Sequence, residues 1–310
     1  MYKPAWGGIL PAFPTPTTVD GSVDEASLRH LVRFLIANKA AGLVPVGGTG
    51  EYTALSPGDR LKAVAITVDE AAGEVPVMAG VLSPGYAEAM ATGKEFKAAG
   101  ADALLLIAPF YVRPTQPAIR SYFGRYRESL DIPLFFYDIP GKTSVVTHSQ
   151  TIVDMAADGS IIGMKACSND MHHFNQIATS VGEDFIALSG EDTLYPLHAL
   201  MGAKGAILAT ATMMPAYWVR IHGLLQAGEY KEAMKAQQVL VSFLDAVFNE
   251  TNPGPLKYAL NWLGLPAGDA LSPLSPPNSE TISRLVAALR DLSERNVIAS
   301  PGSEFGALSA

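Results

Sequence analysis

Residues 161–165 read Ile-Ile-Gly-Met-Lys, a short apolar run that ends in a lysine. An apolar run of this length, without alternating polar residues, is typical of a strand buried on both faces of a parallel sheet. Lys165 places an ammonium group at the end of that strand, where a buried charge must extend to solvent, pair or lose its proton. A lysine with a lowered pKa is also a good nucleophile toward carbonyl groups. Structural and catalytic interpretations of Lys165 are therefore both open.

Apolar runs of this kind recur along the chain and predict eight strands. They are GILPAF (8–13), GLVPVG (42–47), VPVMAG (75–80), ALLLIA (103–108), IPLFFY (132–137), IIGMK (161–165), FIALSG (185–190) and GAILAT (205–210). Stretches with a helical pattern lie between them, at residues 24–40, 57–73, 86–99, 115–130, 149–158, 170–182 and 192–202. Apolar strands that alternate with helices of this length predict an α/β fold, a (β/α)8 TIM barrel rather than an open sheet.

The C-terminal third of the chain has a different pattern. Residues 216–295 are predicted to be helical throughout, with one Pro/Gly break at TNPGPLKYAL (251–260). We therefore expect a barrel catalytic domain at residues 1–222 and a small C-terminal helical layer at residues 223–297, packed on the barrel. Gly-Ser-Glu-Phe within residues 302–310 is what adjacent BamHI and EcoRI cloning sites encode, so we expect a vector-derived tail there.

The composition restricts the class of partner and the compartment. The chain has 310 residues, 48% of them hydrophobic, and a net charge of −8, which argues against nucleic acid or an anionic membrane as the main partner. A single cysteine excludes an intrachain disulfide and fits a reducing compartment. The sequence shows neither a signal-peptide pattern nor an uncharged apolar run of 18 residues, so we expect a cytoplasmic protein.

In a barrel of this type, reactive side chains lie at the C-terminal ends of the strands. The polar or reactive candidates at these ends are Thr15, Thr49, Glu51, Tyr111, Tyr137, Lys165, Glu191 and Thr210. They include no set with metal-ligand spacing, so we expect no metal site. The adjacent His172 and His173 fall at a predicted helix start, where neighbouring side chains point apart, and are interpreted as surface residues.

A lysine, two tyrosines and a glycine-rich turn at one barrel mouth favour Schiff-base chemistry. The amine of Lys165 could form an imine with a ketone, and a tyrosine hydroxyl could carry protons to and from it. The GGTG turn (47–50) exposes backbone N–H groups suited to a carboxylate. Each part alone has a common structural explanation, and the prediction depends on their occurrence at the ends of different strands.

Four segments of the chain resemble motifs of one known superfamily. GGTGE (47–51), PFY (109–111), YDIPGKT (137–143) and IIGMKA (161–166) are similar to motifs of the dihydrodipicolinate synthase and N-acetylneuraminate lyase superfamily. The resemblance runs from about Gly7 to Asn296. It implies a (β/α)8 barrel with C-terminal helices, a homotetramer or homodimer, and a cofactor-independent class I lyase that acts on pyruvate or a related small 2-oxo acid.

The resemblance also implies roles for individual residues. Lys165 matches the Schiff-base lysine and Tyr137 the proton-transfer residue. Thr49, with the backbone of Gly48 and Gly50, matches the carboxylate-binding turn.

The resemblance implies roles for two further positions, Tyr111 in PFY (109–111) and Ile207 in GAILAT (205–210). Tyr111 matches a tyrosine that, in the synthases, reaches into a neighbouring subunit's active site. Ile207 matches a position that lines the pyruvate pocket.

Two departures from the synthase pattern concern the residues that, in the synthases, serve the second substrate, aspartate semialdehyde. Gly48 stands where the synthases have a threonine that relays protons between two tyrosines, and Lys142 stands where they have an arginine. Arginine holds a carboxylate with a bidentate fork, whereas lysine offers a point charge. Three alternatives to a general 2-oxo acid lyase therefore stay open: a ketodeoxy sugar acid dehydratase or aldolase of the ketodeoxyglucarate dehydratase type, a genuine dihydrodipicolinate synthase, and a non-catalytic 2-oxo acid sensor.

Overall fold

A computed structural model describes residues 6–299, and within them seven parallel strands form one sheet. The strands are β1 (Gly8–Pro11), β2 (Met78–Val81), β3 (Ala103–Ile107), β4 (Leu134–Asp138), β5 (Gly163–Ala166), β6 (Ile186–Ser189) and β7 (Gly205–Leu208). Their order in the sheet is β1-β7-β6-β5-β4-β3-β2. Parallel strands in this order, joined by helical crossovers, curl into a barrel.

The eighth predicted strand, at residues 42–47, takes the gap between β1 and β2 but is not a regular strand. Leu43 forms an isolated parallel bridge with Val77, and Val44 forms one with Ala12. Pro45 has no N–H to continue the ladder, and Val46 already has a positive φ of 47°. The ring is therefore closed by two bridges, and the predicted barrel is confirmed while its second strand is shorter than expected.

The helical pattern of the sequence corresponds to helices in every predicted interval between strands. The helices up to β7 are α1 (Glu25–Ala37), α2 (Pro57–Ala71), α3 (Tyr86–Ala98), α4 (Gln116–Ser129), α5 (Pro140–Thr143), α6 (Ser149–Ala157), α7 (Met171–Ala178) and α8 (Tyr195–Leu200). The one-turn helix α5 was not predicted, because it lies within the YDIPGKT motif (137–143). Side-chain caps begin α1 at Asp24 and α2 at Ser56.

The C-terminal part is less continuously helical than predicted. After a 3-10 turn at Thr210–Thr212 it contains α9 (Pro215–Gln226), α10 (Tyr230–Gln238), α11 (Val241–Val247), α12 (Gly254–Leu263) and α13 (Ser279–Glu294). Residues 264–278 are not helical, which corrects the expectation of helix throughout 216–295. Gly264 ends α12 with a φ of 85°, and four prolines follow before the Asn278 cap of α13.

The predicted division at residues 222 and 223 stays a prediction, and α9 runs across that point. The predicted vector-derived tail at 302–310 lies outside the described residues. In the part of the chain that the structure describes, no helix is both long and apolar enough to cross a bilayer.

Candidate active site

Lys165 and Tyr137 are neighbours on adjacent strands at the carboxyl end of the barrel. The register of β4 and β5 pairs Tyr137 with Lys165, and both side chains are buried. The Lys165 Nζ lies 4.7 Å from the centre of the Tyr137 ring. An alanine in place of Gly190, which follows β6, would put its Cβ 2.8 Å from Lys165 Cε. The glycine therefore leaves space for the aliphatic part of the lysine side chain. The buried strands thus place an amine against a phenol in an apolar surrounding.

The groups around this pair keep the phenol protonated. Burial, together with a contact from the Cys167 thiol, raises the pKa of Tyr137 well above its ordinary value. Burial raises the pKa of Cys167 to about 12, while the Lys165 charge opposes that shift. The thiol also donates to the Gly190 carbonyl over 3.2 Å. Tyr137 is therefore a proton donor, rather than a phenolate, over the usual working range of pH.

Two carboxyl groups at the end of β6 complete the surroundings of the lysine. Burial and the neighbouring Asp192 charge raise the pKa of Glu191, and Lys165 lowers it. Asp192 is fully buried and accepts hydrogen bonds from Thr210 N at 2.8 Å and Thr210 Oγ1 at 2.5 Å. Glu191 lacks such bonds among the described residues, so it is the more free of the two to exchange a proton.

The GGTGE turn (47–51) presents Thr49 and two glycines that differ in their surroundings. A Cβ at Gly50 would come within 2.7 Å of the Val46 backbone, so this position is restricted to glycine. A Cβ at Gly48 would meet only the Tyr137 Oη, at 3.7 Å. Space is therefore left open between this turn and the Tyr137 hydroxyl.

A buried ion pair fastens the turn to the C-terminal helices. Lys257 Nζ lies 2.5 Å from Glu51 Oε2, and both side chains are almost wholly buried. Glu51 Oε1 accepts from Leu271 N at 2.7 Å, and Lys257 Nζ donates to Asp269 O at 2.9 Å. Burial lowers the pKa of Lys257, an effect that the Glu51 charge opposes. The C-terminal segment is thereby fixed beside the barrel mouth.

A cavity of about 320 Å³ opens between the turn and the C-terminal segment. Gly48, Thr49 and Tyr137 line it from the barrel, and Asn252 and Leu271 line it from the opposite side. Lys142, from α5, lines it as well. Among the lining residues that the structure describes, Lys142 is the only lysine, arginine or histidine.

Two of the residues matched to the family pattern, Tyr111 and Ile207, do not line this cavity. Tyr111 is 95% exposed and has a φ of 73°, so the backbone after β3 turns its side chain outward. Ile207 is fully buried within β7, opposite Leu10 of β1, and does not line the cavity. Of the other residues matched to the pattern, Tyr137, Gly48, Thr49 and Lys142 line the cavity. Lys165 lies behind them against the Tyr137 ring, and Gly50 shapes the turn.

Several residues at the site were not predicted from the sequence. Asn252 and Lys257 lie in the segment interpreted only as a helix break, although a lysine within an apolar helix pattern was a signal. The interpretation of both adjacent histidines as surface residues is wrong for His173, whose Nε2 lies 3.2 Å from Asp138 Oδ2. Asp138 is buried at the end of β4 beside Tyr137, and a buried carboxylate requires such a partner. Within residues 6–299, no group of three or more His, Cys, Asp or Glu is placed to hold a metal.

A (β/α)8 barrel with a buried lysine beside a tyrosine at its carboxyl end is the arrangement expected of an aldolase-type lyase. The sequence pattern described as the Dihydrodipicolinate synthetase family matches residues 5–292. The chain belongs to this family, and it is a lyase of the dihydrodipicolinate synthase type.

Individual relatives agree with that assignment. The 4-hydroxy-tetrahydrodipicolinate synthase of Gluconacetobacter diazotrophicus is 34% identical over 290 residues, which are 93% of this chain and 96% of that protein. The corresponding synthase of Syntrophobacter fumaroxidans is 36% identical over 276 residues, 87% of this chain and 94% of its own.

Solved structures agree with the fold over nearly the whole chain. A dihydrodipicolinate synthase of Acinetobacter baumannii, inhibited by chloride and complexed with pyruvate, has a TM-score of 0.90 at 30% identity, covering 93% of this chain and 99% of its own. A monomeric dihydrodipicolinate synthase variant has a TM-score of 0.89 at 27% identity, covering 92% and 96%.

Proposed function

We propose that this protein forms an imine between Lys165 and pyruvate or a related 2-oxo acid, and then makes or breaks a bond beyond the carbonyl carbon. The observation that carries the proposal is the pairing of Lys165 with Tyr137, with 4.7 Å between the amine nitrogen and the ring centre. Tyr137 lines the cavity, and the amine lies against its ring. The structure of the Acinetobacter baumannii relative with pyruvate supports a substrate of this class.

Lys165, Tyr137 and Thr49 have different roles in the proposed reaction. The Lys165 amine, once unprotonated, adds to the C2 carbon of the 2-oxo acid and passes a proton to the former carbonyl oxygen, and loss of water from the resulting carbinolamine forms the imine. The protonated Tyr137 hydroxyl can give a proton to the departing hydroxyl group. The protonated imine then accepts the electron pair left when C3 gives its proton to the Tyr137 phenolate, and the resulting enamine reacts further. Thr49 and the backbone of its turn would hold the substrate carboxylate.

The reaction beyond the imine has two candidates. The names of the relatives favour aldol-type addition, as in 4-hydroxy-tetrahydrodipicolinate synthases. The open space at Gly48 favours a second candidate, dehydration or cleavage of a longer ketodeoxy sugar acid, since a synthase-type threonine is missing there. Assays with pyruvate plus aspartate semialdehyde, and separately with ketodeoxy sugar acids, distinguish the two.

Borohydride trapping tests the imine directly. We expect incubation with pyruvate and sodium borohydride to leave a reduced adduct that peptide mass spectrometry places on Lys165. Lys165→Ala should lose both adduct and turnover. Lys142→Ala is the matched control, because this lysine lines the cavity beside the Lys165–Tyr137 pair and its removal should leave the adduct on Lys165.

The outcomes of the trapping experiment distinguish an enzyme from a non-catalytic sensor. Absence of any adduct with pyruvate and with longer 2-oxo acids would contradict the mechanism. An adduct without turnover on any substrate of these classes would instead support the non-catalytic 2-oxo acid sensor.

We also propose that the chain assembles as a homodimer or homotetramer. The support is the outward position of Tyr111, which is 95% exposed beside the 62% exposed Val112. A large aromatic side chain that is directed into solvent by a residue with positive φ is suited to contact a second copy of this chain. Because one solved relative is a monomeric variant, sedimentation of this protein and of Tyr111→Ala is the test.

A further inference from the structure

We infer that Asn252, from the C-terminal segment, is a positioning residue that orients the Thr49 hydroxyl toward the substrate carboxylate. The inference rests on the proposed 2-oxo acid function. Asn252 Nδ2 donates to Thr49 Oγ1 over 2.9 Å, and both residues line the cavity. The contact joins positions 203 residues apart in the chain, so it depends on the docking of the C-terminal segment against the barrel.

The direction of this hydrogen bond determines what Thr49 can offer. A hydroxyl has one donor hydrogen and two acceptor lone pairs. Because Asn252 supplies the hydrogen, the bond occupies a lone pair of Thr49 Oγ1 and leaves the hydroxyl hydrogen available. No described residue accepts that hydrogen. A carboxylate in the cavity is an acceptor that would receive it, as a charge-assisted hydrogen bond.

The amide of Asn252 has no other described use. Its Oδ1 is buried and has no hydrogen-bond partner among the described residues, and its Nδ2 bonds only to Thr49. An unpaired buried acceptor costs free energy and calls for an explanation. The hydrogen bond from the Asn252 amide to Thr49 supplies that explanation, because a residue that served packing alone would not need an amide in this place.

The chain contains a matched control for this contact. Asn249 Nδ2 donates to Thr281 Oγ1, also over 2.9 Å, but between C-terminal helices and away from the cavity lining. Asn249→Ala therefore removes the same kind of hydrogen bond without touching Thr49. Circular dichroism and a melting curve confirm that each variant is folded.

The readout is the pyruvate concentration that gives half-maximal borohydride trapping on Lys165, which requires no assumption about the later reaction. For Asn252→Ala we expect this concentration to rise about tenfold, with the maximal adduct yield unchanged, because a hydrogen bond to a charged group is weakened. Asn252→Asp, of nearly the same shape, should raise it further, because a carboxylate would take the Thr49 hydrogen and repel the substrate. Asn249→Ala should leave it unchanged.

A double-mutant cycle with Thr49→Val decides whether Asn252 acts through Thr49. With the hydroxyl gone, Asn252→Ala should have no further effect on half-saturation. The inference is overturned if the effect persists in that background, or if the Asn249 and Asn252 variants behave alike. If the unmodified protein itself forms no adduct, the proposed function has failed, and that outcome is distinct from failure of the Asn252 role.

Discussion

Tyr137 on β4 and Lys165 on β5 are paired by strand register, and the amine nitrogen lies 4.7 Å from the centre of the phenol ring. Because adjacent parallel strands hold register partners at a fixed spacing, this relationship is set by backbone hydrogen bonding rather than by a mobile loop. Burial raises the pKa of Tyr137, so the phenol next to the amine keeps its proton.

The first prediction concerns that proton. Tyr137→Phe keeps the ring and removes the hydroxyl, so we expect kcat to fall about 10²- to 10⁴-fold, the usual contribution of a general acid. Formation of the trapped adduct should slow in parallel, while the melting temperature stays close to that of the unmodified protein. Tyr126→Phe is the control, because its hydroxyl bonds to Tyr86 O away from the cavity. Equal rates in the two variants would contradict the role of Tyr137.

The second prediction uses the two glycines of the turn. Gly50→Ala should destabilise the protein, because the new Cβ would lie 2.7 Å from the Val46 backbone. Gly48→Ala should have little effect on the melting temperature, since its Cβ meets only a hydroxyl at 3.7 Å. Differential scanning calorimetry compares the two, and an equal loss of stability would contradict this difference in packing.

The third prediction follows from the tolerance at position 48. Gly48→Thr should fold and place a hydroxyl near the Tyr137 Oη, as the synthase pattern does. We expect the ratio of activity with aspartate semialdehyde to activity with ketodeoxy sugar acids to rise relative to the unmodified protein. Parallel assays with both substrate classes measure this ratio, and an unchanged ratio would show that Gly48 does not select the substrate.

The strands and the lysine-tyrosine pair were predictable because short apolar runs and their polar ends are local features of the sequence. The prediction of a strand at residues 42–47 rests on their apolarity alone, which takes no account of the proline that shortens it. The placements of Asn252 and Lys257 were not predictable. Each depends on how a segment more than 200 residues from the turn docks against it, and no local pattern encodes that contact.

The fourth prediction tests the buried ion pair of Glu51 and Lys257. Lys257→Met leaves the Glu51 carboxylate buried without its partner, so we expect a loss of about 3–5 kcal/mol in the free energy of unfolding. Adding Glu51→Gln should recover part of that loss. Lys235→Met is the control, because the Lys235–Glu232 pair is exposed and such pairs contribute about 0–1 kcal/mol. Denaturant titration measures all four proteins, and equal losses for the two lysine variants would contradict the burial argument.

The fifth prediction concerns pH and the contact between His173 and Asp138, whose atoms Nε2 and Oδ2 lie 3.2 Å apart. The hydrogen bond to Asp138 raises the pKa of His173 above its ordinary value of 6.5, while burial opposes the shift. A raised folded-state pKa means that protonated His173 stabilises the fold fully below about pH 6.5 and that this contribution disappears as the pH rises through the folded-state pKa.

His173→Gln should therefore cost more free energy of unfolding at pH 6 than at pH 9, by denaturant titration at both values. The neighbouring His172 is exposed and makes no described hydrogen bond through its ring, so His172→Gln should cost little at either pH. Because Asp138 adjoins Tyr137 in β4, we also expect His173→Gln to reduce trapping on Lys165 more at pH 6 than at pH 9. A cost of unfolding that is the same at both pH values would show that the pair is not charged in the folded protein.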